Sequence, residues 1–296
     1  MTAARAPFGR VLTAMVTPMT ADGLVDLDAT QRLASHLVDA GNDGLVVSGT
    51  TGESPTTSDL EKEQIIRAVR EAVGDKIHVV AGTGTNDTVH SIELSRQAEK
   101  AGADGLLLVT PYYSKPPQSG LLEHFRRVSD ATALPVMLYD IPGRSGVPIT
   151  TETLLQLAEH DRIVAVKDAK GDLYETSRVL AGSDLAFYSG EDALNLPLLA
   201  LGAVGMVSVV AHVCADRFAA MVRAVDAGDL DEARRLNISV LAAVEGIMTR
   251  TQGAIMVKAA LQLQGVLQHR TVRPPLVDAT EEQVSRLRED LAAAGL

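Results

Sequence analysis

The amino-acid sequence predicts an α/β fold, a (β/α)8 TIM barrel with a C-terminal helical domain. Eight apolar runs rich in β-branched residues alternate with segments of helical periodicity as far as residue 227, and this alternation is typical of parallel βαβ units. Eight such units fit a closed barrel, which takes about 200–250 residues. The alternative, an open doubly wound sheet, usually carries a glycine-rich phosphate loop after its first strand. The first run leads instead into Val16-Thr17-Pro18-Met19, which contains no such loop.

The predicted elements follow one another regularly along the chain. Strands are expected at residues 11–17, 44–49, 77–82, 105–110, 135–141, 163–168, 185–189 and 205–210. Between the second and third, the segment from Ser58 to Val73 has helical periodicity, and Ser58 with Glu61 fits a capping box at its start.

Beyond Gly228 the strand pattern stops. Helices are expected at residues 229–249 and 254–264, followed by a connector at 270–279 that contains Pro274-Pro275. Thr280 with Gln283 is expected to cap a final helix that ends near Ala294. The predicted domains are therefore a barrel at 1–228 and a helical domain at 229–296.

The composition of the chain indicates which partners to exclude and where in the cell to expect the protein. Of the 296 residues 46% are hydrophobic, so the chain can bury a large core. The net charge of −11 argues against nucleic acid or an anionic membrane as a partner. Cys214 is the single cysteine and is expected to be a core residue. With no signal pattern and no apolar run of about 18 residues, we expect a cytoplasmic protein.

Lys167 carries the strongest chemical signal. It lies in Ile163-Val164-Ala165-Val166-Lys167-Asp168-Ala169, which is typical of a buried strand. A lysine is rarely buried without a partner, and Asp168 belongs to the opposite face of the strand. Desolvation favours the neutral amine, which can attack a carbonyl and form a Schiff base. A strand-end lysine that reaches solvent remains the alternative at this point.

Other polar residues collect at the predicted carboxyl ends of the strands, where barrel enzymes place their active sites. The Gly49-Thr50-Thr51-Gly52-Glu53 turn is either a helix cap or a carboxylate cradle. Tyr139 is either a core tyrosine or a proton shuttle beside the lysine. Arg144 is either a solvated loop residue or a bidentate carboxylate ligand.

Several of these segments together resemble the dihydrodipicolinate synthase family of pyruvate-dependent class I aldolases, a group that includes N-acetylneuraminate lyase. The similar segments span most of the barrel in the family's order. They are residues 49–54, Val109-Thr110-Pro111-Tyr112-Tyr113, residues 138–146, Val166-Lys167-Asp168-Ala169 and Ser189-Gly190-Glu191-Asp192.

The resemblance implies a role for each matching position. Lys167 corresponds to the lysine that captures pyruvate as a Schiff base, and Tyr139 to the tyrosine that moves protons beside it. Thr50 and Tyr113 correspond to the rest of a proton relay, in which Tyr113 comes from a neighbouring subunit. The substrate-binding positions are Thr51 and Val207 for the pyruvate unit, Arg144 for the carboxylate of the second substrate, and Gly190.

The implied reaction joins pyruvate to L-aspartate 4-semialdehyde in lysine and diaminopimelate biosynthesis, in a homotetramer built from two tight dimers. No cofactor and no metal is expected. The alternative within the family is an aldolase or lyase for a sugar acid such as N-acetylneuraminate or 2-keto-3-deoxygluconate. A non-catalytic barrel that senses a keto acid is another alternative, and it is disfavoured because Lys167 and Tyr139 are both present.

Two segments depart from the family pattern. At the position where relatives inhibited by lysine carry a glutamate, this chain has His90, with Asp59 and Lys62 on the preceding helix. We therefore predict weak or absent inhibition by L-lysine. In the tail, a glycine and an alanine at 253–254 stand where the family often has a proline-rich turn before Val257-Lys258, so the local geometry there is expected to differ.

Overall fold

Residues 6–296 are described by the computed structural model. Within them, eight parallel strands form a closed barrel in sequence order, and β8 pairs with β1. The strands are β1 Val11–Ala14, β2 Gly44–Val47, β3 His78–Gly82, β4 Gly105–Val109, β5 Val136–Asp140, β6 Ile163–Asp168, β7 Ala186–Ser189 and β8 Gly205–Ser208. The predicted fold class is confirmed. Some strands are shorter than expected, and β1 ends at Ala14 rather than at residue 17. The Met15 amide still donates to the Val46 carbonyl of β2 at 2.9 Å, but the Val16 amide donates to His212 Nε2 and no longer to a strand.

Two hydrophobic clusters stabilise the barrel. Alternate strand residues point inward and fill the barrel, among them Leu12, Val46, Val80, Met137 and Ala165. Their neighbours point outward and pack against the surrounding helices in a larger cluster. This alternation decides which strand residues can reach the carboxyl-end cavity.

Helices surround the barrel and continue after it. They are α1 Leu27–Asp39, α2 Asp59–Val73, α3 Thr88–Ala101, α4 Gln118–Ser129, α5 Pro142–Ser145, α6 Thr151–Leu157, α7 Leu173–Gly182, α8 Asn195–Leu201, α9 Ala211–Asp226, α10 Leu230–Val244, α11 Gly253–Leu263 and α12 Glu281–Ala293. The predicted capping boxes of Ser58 with Glu61 and of Thr280 with Gln283 are both present. Within residues 6–296, no helix is both long and apolar enough to cross a bilayer.

The C-terminal helices pack on the barrel and on one another. α10 packs against α9, and α12 packs against α10 and α11. The helix expected at 229–249 is α-helical only to Val244 and then widens into a π-helical turn, Glu245–Thr249. Between α11 and α12, residues 264–280 return to the barrel rim, and we call this segment the connector. Cys214 is buried in α9, as expected.

Candidate active site

Lys167 lies near the carboxyl end of β6 and points into the barrel. Its side chain is buried, with the residue 5% exposed, and its Nζ lies 4.1 Å from the centroid of the Tyr139 ring. The two residues are paired in the register of β5 with β6. Asp168 points to the outer face, where its carboxylate accepts hydrogen bonds from the Thr176 hydroxyl and the Lys170 amide. The expectation that Asp168 is not the partner of Lys167 is confirmed.

Gly190 permits the close packing beside this lysine. A Cβ at residue 190 would lie 2.8 Å from Cγ and 3.0 Å from Cε of Lys167, and 3.1 Å from the Asp168 carbonyl oxygen. The residue therefore has to be a glycine if the Lys167 stem is to keep this path. Val207 lies on β8 in the same inner cluster as Tyr139.

A cavity of about 310 Å³ opens above these residues at the carboxyl ends of the strands. Its wall contains Thr50 from the turn after β2, Tyr113 from the loop after β4, Tyr139 from β5 and Arg144 from α5. Four of the predicted site residues thus come together in one cavity. Lys167, Gly190, Val207 and Thr51 are not part of the wall. Lys167 lies against the ring of Tyr139, which does belong to the wall. Thr51 is buried within the turn.

The turn after β2 offers free backbone donors. Among the described residues, the amides of Thr50 and Thr51 donate no hydrogen bond to another group of the chain. Consecutive free N–H groups in a turn form a concave site suited to an anion. Ser48 begins the turn with a φ of 54°. Sequence reasoning did not single out Ser48, because a positive φ at a serine has no local sequence signature.

Tyr113 occupies an unusual position for an aromatic side chain. It is 90% exposed, and its φ of 74° lies in the left-handed region that bulky residues seldom adopt. Among residues 6–296, no hydrogen bond joins the hydroxyls of Tyr113, Thr50 and Tyr139. The three side chains line one cavity without forming a closed chain of hydrogen bonds within one subunit.

Two carboxylates at the rim have raised pKa values. Burial raises the pKa of Asp140 to about 6, while Lys170, with its Nζ at 3.6 Å, partly opposes the shift. Burial and then Asp192 raise the pKa of Glu191, while the positive charges of Lys167 and Arg144 oppose the shift. Glu191 therefore shares the electrostatic environment of the lysine and the arginine, although sequence reasoning gave it no role.

Asp192, which follows β7, fixes the carboxyl end of β8. It is fully buried and accepts hydrogen bonds from the Ser208 hydroxyl and from the amides of Val209 and Val210, the latter two at 3.0 and 3.1 Å. These bonds hold the strand end that carries Val207. Within residues 6–296, His, Cys, Asp and Glu side chains form no cluster of three that could ligate a metal ion.

Comparisons with known proteins identify the family to which this chain is similar. A model of the dihydrodipicolinate synthetase family matches residues 7–294. The chain is 68% identical to the 4-hydroxy-tetrahydrodipicolinate synthase of Kineococcus radiotolerans, over 98% of this chain and 94% of that protein. It is 66% identical to the synthase of Acidothermus cellulolyticus, with the same coverage. The lysine-bound crystal structure of the Cyanidioschyzon merolae enzyme superposes with a TM-score of 0.95 at 42% identity, covering 99% of this chain and 100% of that one.

Proposed function

The chain belongs to the dihydrodipicolinate synthetase family, and from this premise we propose that its cavity condenses pyruvate with L-aspartate 4-semialdehyde. The activity is that of a Schiff-base-forming synthase of the class I aldolase type, in lysine and diaminopimelate biosynthesis. The names of the similar enzymes favour this reaction over cleavage of a sugar acid. The observation that carries the assignment of the site is the inward-facing, buried Lys167 against the Tyr139 ring.

In the proposed first step, the Lys167 amine adds to the ketone carbon of pyruvate, the former ketone oxygen takes up protons delivered through Tyr139, and it leaves as water to give a protonated imine. The imine withdraws electrons, so a methyl proton can be removed and an enamine forms. The enamine carbon attacks the aldehyde carbon of the second substrate, and its oxygen takes up a proton. The amine of the aldehyde substrate then attacks the imine carbon, which closes the ring and releases Lys167.

Tyr139 is the proposed proton carrier for these steps. Its ring is held beside Nζ of Lys167, and its backbone carbonyl accepts hydrogen bonds from the amide and hydroxyl of Thr110 at 3.0 and 3.1 Å. A tyrosine hydroxyl alone is a poor base at neutral pH, so we propose that Thr50 and Tyr113 complete a relay with it.

The two substrates carry carboxylates that need separate partners. We propose that the turn amides of Thr50 and Thr51 bind the pyruvate carboxylate, with Gly190 and Val207 shaping the space beside it. Arg144 is exposed at the cavity wall, where its guanidinium can bind the carboxylate of the aldehyde substrate bidentately. A sugar polyol has no comparable need for this cation.

We also propose a homotetramer of two tight dimers working in the cytoplasm, in which Tyr113 enters the neighbour's cavity. The exposure and positive φ of Tyr113 support this proposal. Exposing an aromatic ring to water and holding a strained backbone both cost free energy, and burial of the ring by a second subunit would offset these costs. Mixing inactive Tyr113→Phe and Lys167→Ala subunits should restore partial activity. A fully active monomer in sedimentation at the assay concentration would contradict the proposal.

Borohydride trapping tests the function directly. With pyruvate present, reduction should leave a covalent adduct on Lys167, found by peptide mass mapping, and Lys167→Ala and Lys167→Arg should both abolish it. Lys76 is exposed at the opposite end of the barrel, so Lys76→Ala is the control and should trap pyruvate normally. A coupled assay with aspartate semialdehyde, run beside N-acetylneuraminate cleavage, identifies the substrate. An adduct on Lys115, Lys170 or Lys258 would refute the assignment.

A further inference from the structure

The turn that carries the two threonines, residues 48–53, adopts a costly backbone conformation. Ser48 and Glu53, at its two ends, have φ values of 54° and 57°. Neither is a glycine, and L-residues in this region persist only where surrounding contacts hold them in place. We call residues 48–53 the threonine turn and ask which contacts hold it.

Glu53 is fixed by the C-terminal part of the chain. One carboxylate oxygen accepts a hydrogen bond of 2.5 Å from Lys258 Nζ, and the other accepts one of 2.8 Å from the Arg273 amide. Lys258 Nζ also donates to the Thr271 carbonyl at 2.7 Å. The side chains of Lys258 and Glu53 are 0% and 1% exposed. Both partners of Glu53 therefore come from α11 and the connector, more than 200 residues away in sequence.

Arg273 attaches the connector to the segment that follows the threonine turn. Its guanidinium donates to the Thr56 carbonyl at 2.8 Å and binds the Glu61 carboxylate through two hydrogen bonds of 2.6 and 2.9 Å. Glu61 caps α2. The barrel segment from Glu53 to Glu61 is thus held at both ends by one stretch of the C-terminal domain.

Stability alone does not account for a buried ion pair at this place. Two charges taken out of water lose hydration, and a well-packed apolar pair is often equally stable or more so. A hydrogen-bonded ion pair offers in return a defined position for each partner. Glu53 follows Thr51 by two residues, so its position sets the position of the turn.

We propose that the Lys258–Glu53 ion pair is a positioning device that holds Thr50 and Thr51 where they bind the pyruvate carboxylate. The C-terminal helical domain is then a support of the active site. The kinetic part of this inference rests on the proposed function, whereas the coupling between Lys258 and the turn can be measured without substrate.

Lys258→Met is the principal variant, because it keeps most of the side-chain length and removes the charge. Misplacing a binding group by about 1 Å can lower turnover about 100-fold, so we expect kcat/KM for pyruvate to fall about 10- to 100-fold. Arg250→Met is the matched control. Arg250 forms an ion pair with Asp290 within the same domain at 2.7 Å, away from the threonine turn. The control should keep the parental kcat/KM, and an equal loss in both variants would overturn the proposal.

The double variant Glu53→Gln with Lys258→Met separates positioning from stability. It removes the unpaired buried carboxylate left by Lys258→Met, so its thermal stability should recover. Under the proposal, kcat/KM for pyruvate stays low after this recovery. If catalysis returns together with stability, the pair serves stability only and the proposal is wrong. If Lys258→Met does not fold, Glu53→Gln takes its place as the single variant, and its thermal stability and kcat/KM for pyruvate are compared with those of the double variant.

Hydrogen exchange provides the readout that needs no substrate. The amides of Glu53 and Ser54, which donate to the Thr50 and Gly49 carbonyls at 3.1 and 3.2 Å and so close the turn, should exchange at least about 10-fold faster in Lys258→Met than in the parent, which corresponds to about 1.4 kcal/mol of lost protection. Peptides from β5 should exchange at the parental rate. Unchanged exchange in the turn would overturn the inference. If the parent traps no pyruvate, the proposed function fails, and exchange still decides whether Lys258 holds the turn.

Discussion

Replacing Gly190 with alanine should misplace Lys167, the proposed nucleophile, without removing any of the proposed catalytic groups. The new Cβ would lie 2.8 Å from Cγ of Lys167, which is about 1 Å inside an ordinary carbon–carbon contact. The Asp168 carbonyl, at 3.1 Å, cannot retreat easily, because it accepts a 2.7 Å hydrogen bond from the Gly190 amide. The flexible lysine stem must therefore move, and Nζ should leave its position over the Tyr139 ring.

A displacement of about 1 Å predicts a loss of about 100-fold in the rate of pyruvate trapping. Overpacking should also cost about 1–3 kcal/mol of the free energy of unfolding. The trapping rate is measured with borohydride at saturating pyruvate, and the melting temperature is measured on the same samples. Gly120→Ala in α4 is the control. Its Cβ would meet only contacts of 3.5 Å or longer, so trapping should be unchanged. Parental trapping in Gly190→Ala would refute this account of the lysine's environment.

Three further changes test other parts of the site. Tyr139→Phe should lower turnover about 10²- to 10⁴-fold in a folded protein, and near-normal turnover would make Tyr139 a packing residue. Because burial raises the pKa of Asp140 to about 6, the native state binds its proton more tightly than the unfolded state. The free energy of unfolding of the parent should therefore fall by on the order of 3 kcal/mol, from this group, as pH rises from about 4 to 6. Denaturant titrations at each pH measure this loss, and Asp140→Asn should not show it. L-Lysine should not half-inhibit the enzyme below about 1 mM, because the Asp59 carboxylate already contacts His90 at 3.0 Å and Lys62 at 3.9 Å. Initial rates measured across a lysine titration test this, and half-inhibition at a lower concentration would contradict it.

Features written in local sequence were predictable. The run of β-branched residues before Lys167 predicted a buried strand, and the spacing of Ser58 and Glu61 predicted a capping box that the structure contains. Both features depend on residues only a few positions apart, so the hydrophobic pattern and the capping hydrogen bonds can be read from the local sequence. The roles of Lys167, Tyr139 and the other site residues remain predictions that the experiments above address.

Features that depend on distant parts of the chain were not predictable. Glu53 belongs to a recognisable turn, but nothing near it indicates that its partner is Lys258. A buried charge pair has no periodic signature, because either residue alone also suits an exposed surface. The departure at residues 253–254 suggested only that the tail differs locally. The contact of the connector with the threonine turn becomes visible only when the barrel is closed.

The register that places Tyr139 beside Lys167 depends on an irregularity in the sheet. Val136 pairs with Ile163, but the next residue, Met137, pairs with Ala165, so Val164 is passed over. Without this shift the regular pairing would set Tyr139 opposite Val166, and Lys167 would point to the outer face. A strand buried on both faces is apolar throughout and shows no alternation that would reveal such a bulge. The one extra residue in β6 therefore aims the lysine at the tyrosine, although the sequence shows only an uninterrupted apolar run.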